Sequence, residues 1–169
     1  MNAKHETVST VATEEEKRDL LTLIAQHPFL HGLEARYLQT LAECAIETRL
    51  QPGELIFREG EIANRFYLIQ EGEVALESHV KDGGTLLIQT IGAGDVLGWS
   101  WLFPPYYWHF DARALKPTKA IFLYGARLRQ RCEEDHDLGY ALMKRLAAIV
   151  IQRLQSTRRQ LLDVCDMKG

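Results

Sequence analysis

At 169 residues the chain is long enough for one domain with a sizeable core. Its 46% hydrophobic and 25% charged residues are ordinary for a globular protein, and a formal net charge of -3 excludes an overall basic surface that would recruit nucleic acid. Three widely spaced cysteines, Cys44, Cys132 and Cys165, exclude a disulfide framework and a zinc ligand set.

Residues 1–12 are small and polar and are expected to form a flexible N-terminus, with one domain over 13–169. Glu14, Glu15 and Glu16 stand where a secretory segment would need apolar residues, and the longest apolar runs are too short to span a bilayer. A cytoplasmic protein without membrane contact is therefore expected. Thr13 to Glu16 has the Thr-x-x-Glu spacing of a capping box, so a helix is predicted to follow, with Leu20, Leu21, Leu23 and Ile24 inward. Pro28 ends it. A second short helix is predicted around Glu34 to Glu43, with Leu38 and Leu41 facing the core.

From about residue 45 to 124 the chain breaks into short apolar pieces. These are Leu55–Phe57, Phe66–Ile69, Val74–Leu76, Leu86–Ile88 and Ile121–Leu123, separated by glycine-bearing turns. Such spacing predicts an antiparallel barrel or jelly roll. The last part, about 125–165, is helical in pattern. A short helix over Gly125 to Glu134 precedes a long one that Asp137 can cap, running to about Asp163. Leu142, Leu146, Ile149, Leu154, Leu161 and Val164 recur at amphipathic spacing. The stripe can lie on the chain's own barrel, or a second copy of the helix can cover it, giving a homodimer through residues 137–163. Most of its charges, among Lys144, Arg145, Arg153, Arg158 and Arg159, are expected to form a solvated face, and nucleic-acid binding is not expected because no aromatic residues interleave with them.

The segment HPFLHGLEARYLQTLAECAIETRLQPGELIFREGEIANRFYLIQEGEVAL, with Gly94-Asp95-Val96-Leu97-Gly98 further on, resembles the cyclic-nucleotide-binding domain of the Crp/Fnr and protein-kinase regulatory-subunit superfamily. The resemblance implies a mainly β fold with flanking helices: a double-stranded β-helix, or jelly-roll β-roll, with N-terminal helices and a long C-terminal helix. It implies a regulatory, ligand-sensing role and no enzymatic activity. In the family, the glycine matching Gly98 opens a short helical loop whose backbone N–H groups hold a cyclic phosphate. A Glu follows for the ribose, and an Arg some ten residues later neutralises the phosphate.

Here Trp99 stands at the Glu position. Aligning Ala112-Arg113-Ala114 with the family's next strand puts Trp108 at the Arg position and His109 at its Ser neighbour; a register one residue different puts His109 at the Arg position. Loss of a charge-assisted partner for a buried phosphate costs roughly 2–5 kcal/mol, so ordinary cAMP or cGMP binding is not expected. In the long helix, Arg153-Leu154-Gln155-Ser156-Thr157-Arg158 resembles the segment that meets the purine in dimeric bacterial members, with Arg153 and Thr157 on one face.

The candidate ligand-binding residues are Val96, Leu97, Gly98, Trp99, Ser100, Trp108, His109, Phe110, Arg153 and Thr157. All three tryptophans fall between Trp99 and Phe110, and two uses of them compete. An aromatic box can stack on a nucleotide-like or flat aromatic ligand, with Ser100, His109 and Asp111 as polar contacts and Asp111 orienting His109 along a strand. Alternatively, the aromatics plug the old phosphate cavity, or some of them simply pack the core, and the domain acts as a ligand-free adaptor. A sensor would pass its state through the C-terminal helix to a protein partner that the sequence does not identify, an adaptor would present a surface to one, and a cyclic mono- or dinucleotide receptor with an unusual site is the remaining alternative.

The sequence calls for no cofactor. Cupins share this roll, but only His79 and His109 of the six histidines lie in predicted strand territory, without a close His-x-His, so a metal enzyme is not expected. The chain ends a few residues past the long helix, so no recognition helix and no direct DNA binding are expected.

Overall fold

The computed structural model describes residues 13–167; the expected flexible segment 1–12 lies outside them. Helix α1 (Glu14–Gln26) opens on the anticipated capping box: the Glu16 amide donates to Thr13 Oγ1 at 3.2 Å, and the Thr13 amide donates to Glu16 Oε2 at 2.7 Å. Helix α2 (Ala35–Ala42) buries Tyr37 and Leu41. Eight strands follow: β1 (Ala45–Leu50), β2 (Leu55–Phe57), β3 (Arg65–Glu71), β4 (Glu73–His79), β5 (Thr85–Gly92), β6 (Val96–Leu97), β7 (Asp111–Ala114) and β8 (Thr118–Tyr124). They form two antiparallel four-stranded sheets, ordered β1-β8-β3-β6 and β2-β7-β4-β5. Helices α3 (Gly125–Glu134) and α4 (His136–Asp166) close the chain.

Period-two alternation divides the core. On β3 and β8, Phe66, Leu68, Ile121 and Leu123 face the helices and pack with Ile24, Leu41, Leu128 and Leu142. Their alternates Tyr67, Ile69, Ala120 and Phe122 join Phe57, Leu76, Leu97 and Trp108 in the second cluster, inside the roll. Tight joins rely on glycine. Gly72, between β3 and β4, has φ +106°, and a Cβ there would lie 2.7 Å from the Pro117 carbonyl oxygen.

Buried His27 fastens α1 to the roll. Its Nε2 meets the Ile69 carbonyl at 3.0 Å while its Nδ1 accepts from the Phe29 amide. Nδ1 must be unprotonated to accept, so the ring is neutral. Burial lowers its pKa below the usual 6.5, against smaller opposing effects of the Ile69 carbonyl and Asp95. A depressed folded-state pKa makes this contribution complete above pH 6.5 and lost as pH falls below it. Chemical denaturation from pH 7.5 to 5 should show stability falling below about pH 6.5, and His27→Gln should flatten that slope.

The long helix differs from the sequence expectation at its start. Its cap is Asp135, not Asp137: the Asp135 carboxylate accepts the amides of Asp137 and Leu138 at 3.1 and 3.2 Å. Two acids two residues apart both satisfy the cap pattern, and the extended backbone at Asp135 decides between them. The helix also continues to Asp166. Its apolar stripe divides. Leu138, Leu142 and Leu146 are buried on the roll, whereas Leu154 and Leu161 are 68% and 63% exposed.

Candidate ligand site

The segment between β6 and β7 carries the site. Gly98 adopts φ +84°, and a Cβ there would lie 2.6 Å from two ring carbons of Trp108. Only glycine meets both conditions without strain. Trp99–Trp101 then form one 3₁₀ turn. The chain returns alongside the loop between β2 and β3. The Ala63 amide donates to the Tyr106 carbonyl, the Trp108 amide to the Glu61 carbonyl, and the Gly60 amide to the Trp108 carbonyl, all at 2.7–2.9 Å. Trp108 is thus held by backbone pairing on both sides.

The three tryptophans have three different places. Trp108 is 3% exposed and its ring stacks on Phe57, with centroids 3.8 Å apart and planes 11° apart. It fills the interior of the roll in front of Gly98. Trp101 is fully buried on the helix side, against Phe66. Trp99 is half-buried, edge-on to Phe110, with the Arg153 guanidinium over its face at 4.6 Å. Phe110 in turn leans on Phe57 at 5.8 Å, so the rings run in contact from Arg153 to Trp108.

Arg153 reaches the roll from α4. It is 9% exposed, donates through Nη2 to the Val96 carbonyl, and leaves Nη1 buried without a partner. Burial pulls its pKa down to about 10, with Asp95 pulling weakly the other way, so it remains a cation at neutral pH. Thr157 is exposed and its hydroxyl donates to the Arg153 carbonyl one turn back. Val96 and Leu97 are fully buried, one in each core cluster, and Ser100 is buried in the 3₁₀ turn.

His109 is exposed and lies before the start of β7, so the shared strand face expected for His109 and Asp111 does not form. Buried Asp111 instead accepts the Glu59 amide at 2.8 Å and lies 3.6 Å from His79 Nδ1. Three contributors had no signal in the sequence: Phe57, which stacks on Trp108; Arg65, beside it; and Arg129 of α3. Arg129 donates to the Trp101 carbonyl and covers the Tyr106 ring at 4.2 Å. Their roles come from contacts between residues distant in the chain.

The site is a glycine-opened turn between β6 and β7 of a jelly roll, overlaid by an arginine from a long helix. Residues 47–135 match the family described as cyclic nucleotide-binding domain, and the chain belongs to that family. A putative cyclic nucleotide-binding protein from Geobacter metallireducens GS-15 is 31% identical, with a TM-score of 0.69, over 82% of this chain and 97% of that one. A cyclic nucleotide-binding domain from Methylobacillus flagellatus KT shares the fold, with a TM-score of 0.73 at 18% identity over 88% of this chain and 84% of that one. The CRP-like cAMP-activated global transcriptional regulator of Mycobacterium tuberculosis is 27% identical over 73% of this chain, which spans 55% of the regulator's length. No helix among the described residues is long and apolar enough to cross a membrane.

Proposed function

We propose that this domain is a regulatory module in which an internal tryptophan occupies the place of the cyclic phosphate, and that it signals to a protein partner through α4 as a homodimer. The observation that carries the reading is Trp108, stacked on Phe57 and touching Gly98. A cyclic mononucleotide would have to displace this ring and would then meet no arginine from the cassette. Calorimetry with cAMP and cGMP is the test. No saturable heat is expected up to millimolar ligand, and a micromolar Kd for either would overturn the reading.

The transmission route is supported by Arg153 and by the exposed half of α4. Val150, Leu154, Leu161 and Val164 are exposed and lie on a four-three repeat that passes through Thr157, the spacing of a two-stranded coiled-coil seam. Sedimentation should give a dimer, and Leu154→Glu with Leu161→Glu should give a folded monomer. A dimer that persists in that variant would move the interface elsewhere. The buried, unpartnered Nη1 of Arg153 supports a ligand-responsive module over a fixed adaptor, because an inert scaffold has no use for a desolvated cation.

A further inference from the structure

Beside the plug, at the mouth of the roll, lies a second feature: an open cavity of about 390 Å³, lined by Phe57, Glu61, Asn64, Arg65, Tyr67 and Trp108 among others. We propose that it is a binding site for a small monocarboxylate, held by Arg65 beside the edge of the Trp108–Phe57 stack. The proposal rests on the reading of Trp108 as a plug, because the plug's edge forms one wall.

Arg65 is the anchor. Its guanidinium lies over the Phe122 ring at 4.5 Å. A guanidinium presents its N–H donors in a fixed planar fork that matches a carboxylate. No carboxylate among the described residues lies within ion-pair distance of it, and its Nε is buried without a partner. Tyr67 adds a second donor: burial raises its pKa, and the adjacent Arg65 draws it part of the way back, so the phenol stays protonated at neutral pH. The rest of the lining decides the class of ligand. Phe57 and Trp108 cover each other's faces and close the back of the cavity, while Ile56 and Ile62 offer apolar surface, with Ile62 66% exposed at the rim. Glu61 is also in the lining, and its charge weighs more heavily against a dianionic phosphate than against a single carboxylate. Asn64 can donate or accept at the edge.

The position has a consequence for signalling. A ligand packed on Trp108 would press on the ring contacts that run through Phe57 and Phe110 to Trp99, and so to Arg153.

The test is calorimetry of the full chain with benzoate, 2-naphthoate and indole-3-acetate. Benzamide and inorganic phosphate serve as controls, and Trp indole N–H resonances are followed by NMR. At least one carboxylate is expected to bind, to move the Trp108 resonance and to leave that of Trp101 in place. Benzamide and phosphate are expected not to bind. Arg65→Gln should weaken the carboxylate by about 30-fold or more, and Arg65→Lys by less. Should Arg65→Gln fail to fold, the benzamide comparison and Arg65→Lys still test the charge. Silence of all three carboxylates, equal binding of benzamide, or a Trp101 shift without a Trp108 shift overturns the site. These outcomes leave the plug standing. Cyclic nucleotide that binds and competes with the carboxylate would instead overturn the plug.

Discussion

Replacing Trp108 with alanine should cost about 3–5 kcal/mol of stability, the range for deleting a large buried aromatic ring. The ring is nearly inaccessible, lies parallel to Phe57 at 3.8 Å, and belongs to the interior cluster of the roll. Its backbone is paired to Gly60 and Glu61, so the loop cannot easily collapse into the space left behind. Gly98→Ala should be costly for two separable reasons: φ +84° strains any L residue by about 1–2 kcal/mol, and the added methyl strikes the indole at 2.6 Å. In the Trp108→Ala background the indole clash is gone, and the backbone strain and a tight 3.3 Å approach to the Arg65 carbonyl oxygen remain. The double variant should therefore be more stable than the sum of the single costs implies, by about 1–3 kcal/mol in denaturant titrations. Strict additivity would mean that the indole does not rest on Gly98.

Arg153→Met should leave stability unchanged or raise it by about 1–3 kcal/mol, as replacement of a buried charge by an apolar side chain of similar length often does. The wild-type guanidinium has one carbonyl partner, the face of Trp99 and an unpartnered nitrogen. The sign follows from the depressed pKa. The folded state holds the cation less well than the unfolded chain does, so a penalty operates at neutral pH and fades as pH rises past about 10. The gap between the variant and the wild type should narrow above that pH. Arg153→Ala should behave differently, because it also removes the stem that covers Trp99. A loss of more than about 2 kcal/mol in Arg153→Met would show that the stacking and the carbonyl bond outweigh the desolvation.

Much of the architecture was legible in the chain. The capping box at Thr13, the short apolar pieces of β2, β3, β4, β5 and β8, and the limits of α3 are local patterns, and local patterns report local structure. Strand β6 has only two residues and shows no period. Of the site, Gly98, the replacement of Glu by Trp99 and the Arg153 face of α4 were legible from the resemblance. The absence of a cassette arginine could be seen as well, with Trp108 or His109 at its position, but that Trp108 points inward and His109 outward could not.

The amino-acid sequence by itself determined that a jelly roll forms between helices and that an aromatic segment without Glu or Arg follows Gly98. Only the tertiary structure decided which ring goes where: Trp108 inside the roll on Phe57, Trp101 under the helices, and Trp99 beneath Arg153. It also divided the stripe of α4, burying Leu142 and Leu146 and exposing Leu154 and Leu161. The reason is physical. Three aromatic residues in one loop have the same local preferences, and a helical stripe has one period along its whole length. Their fates are set by where the sheet ends and by which distant side chains, Phe57, Phe66 and Arg153, come to meet them.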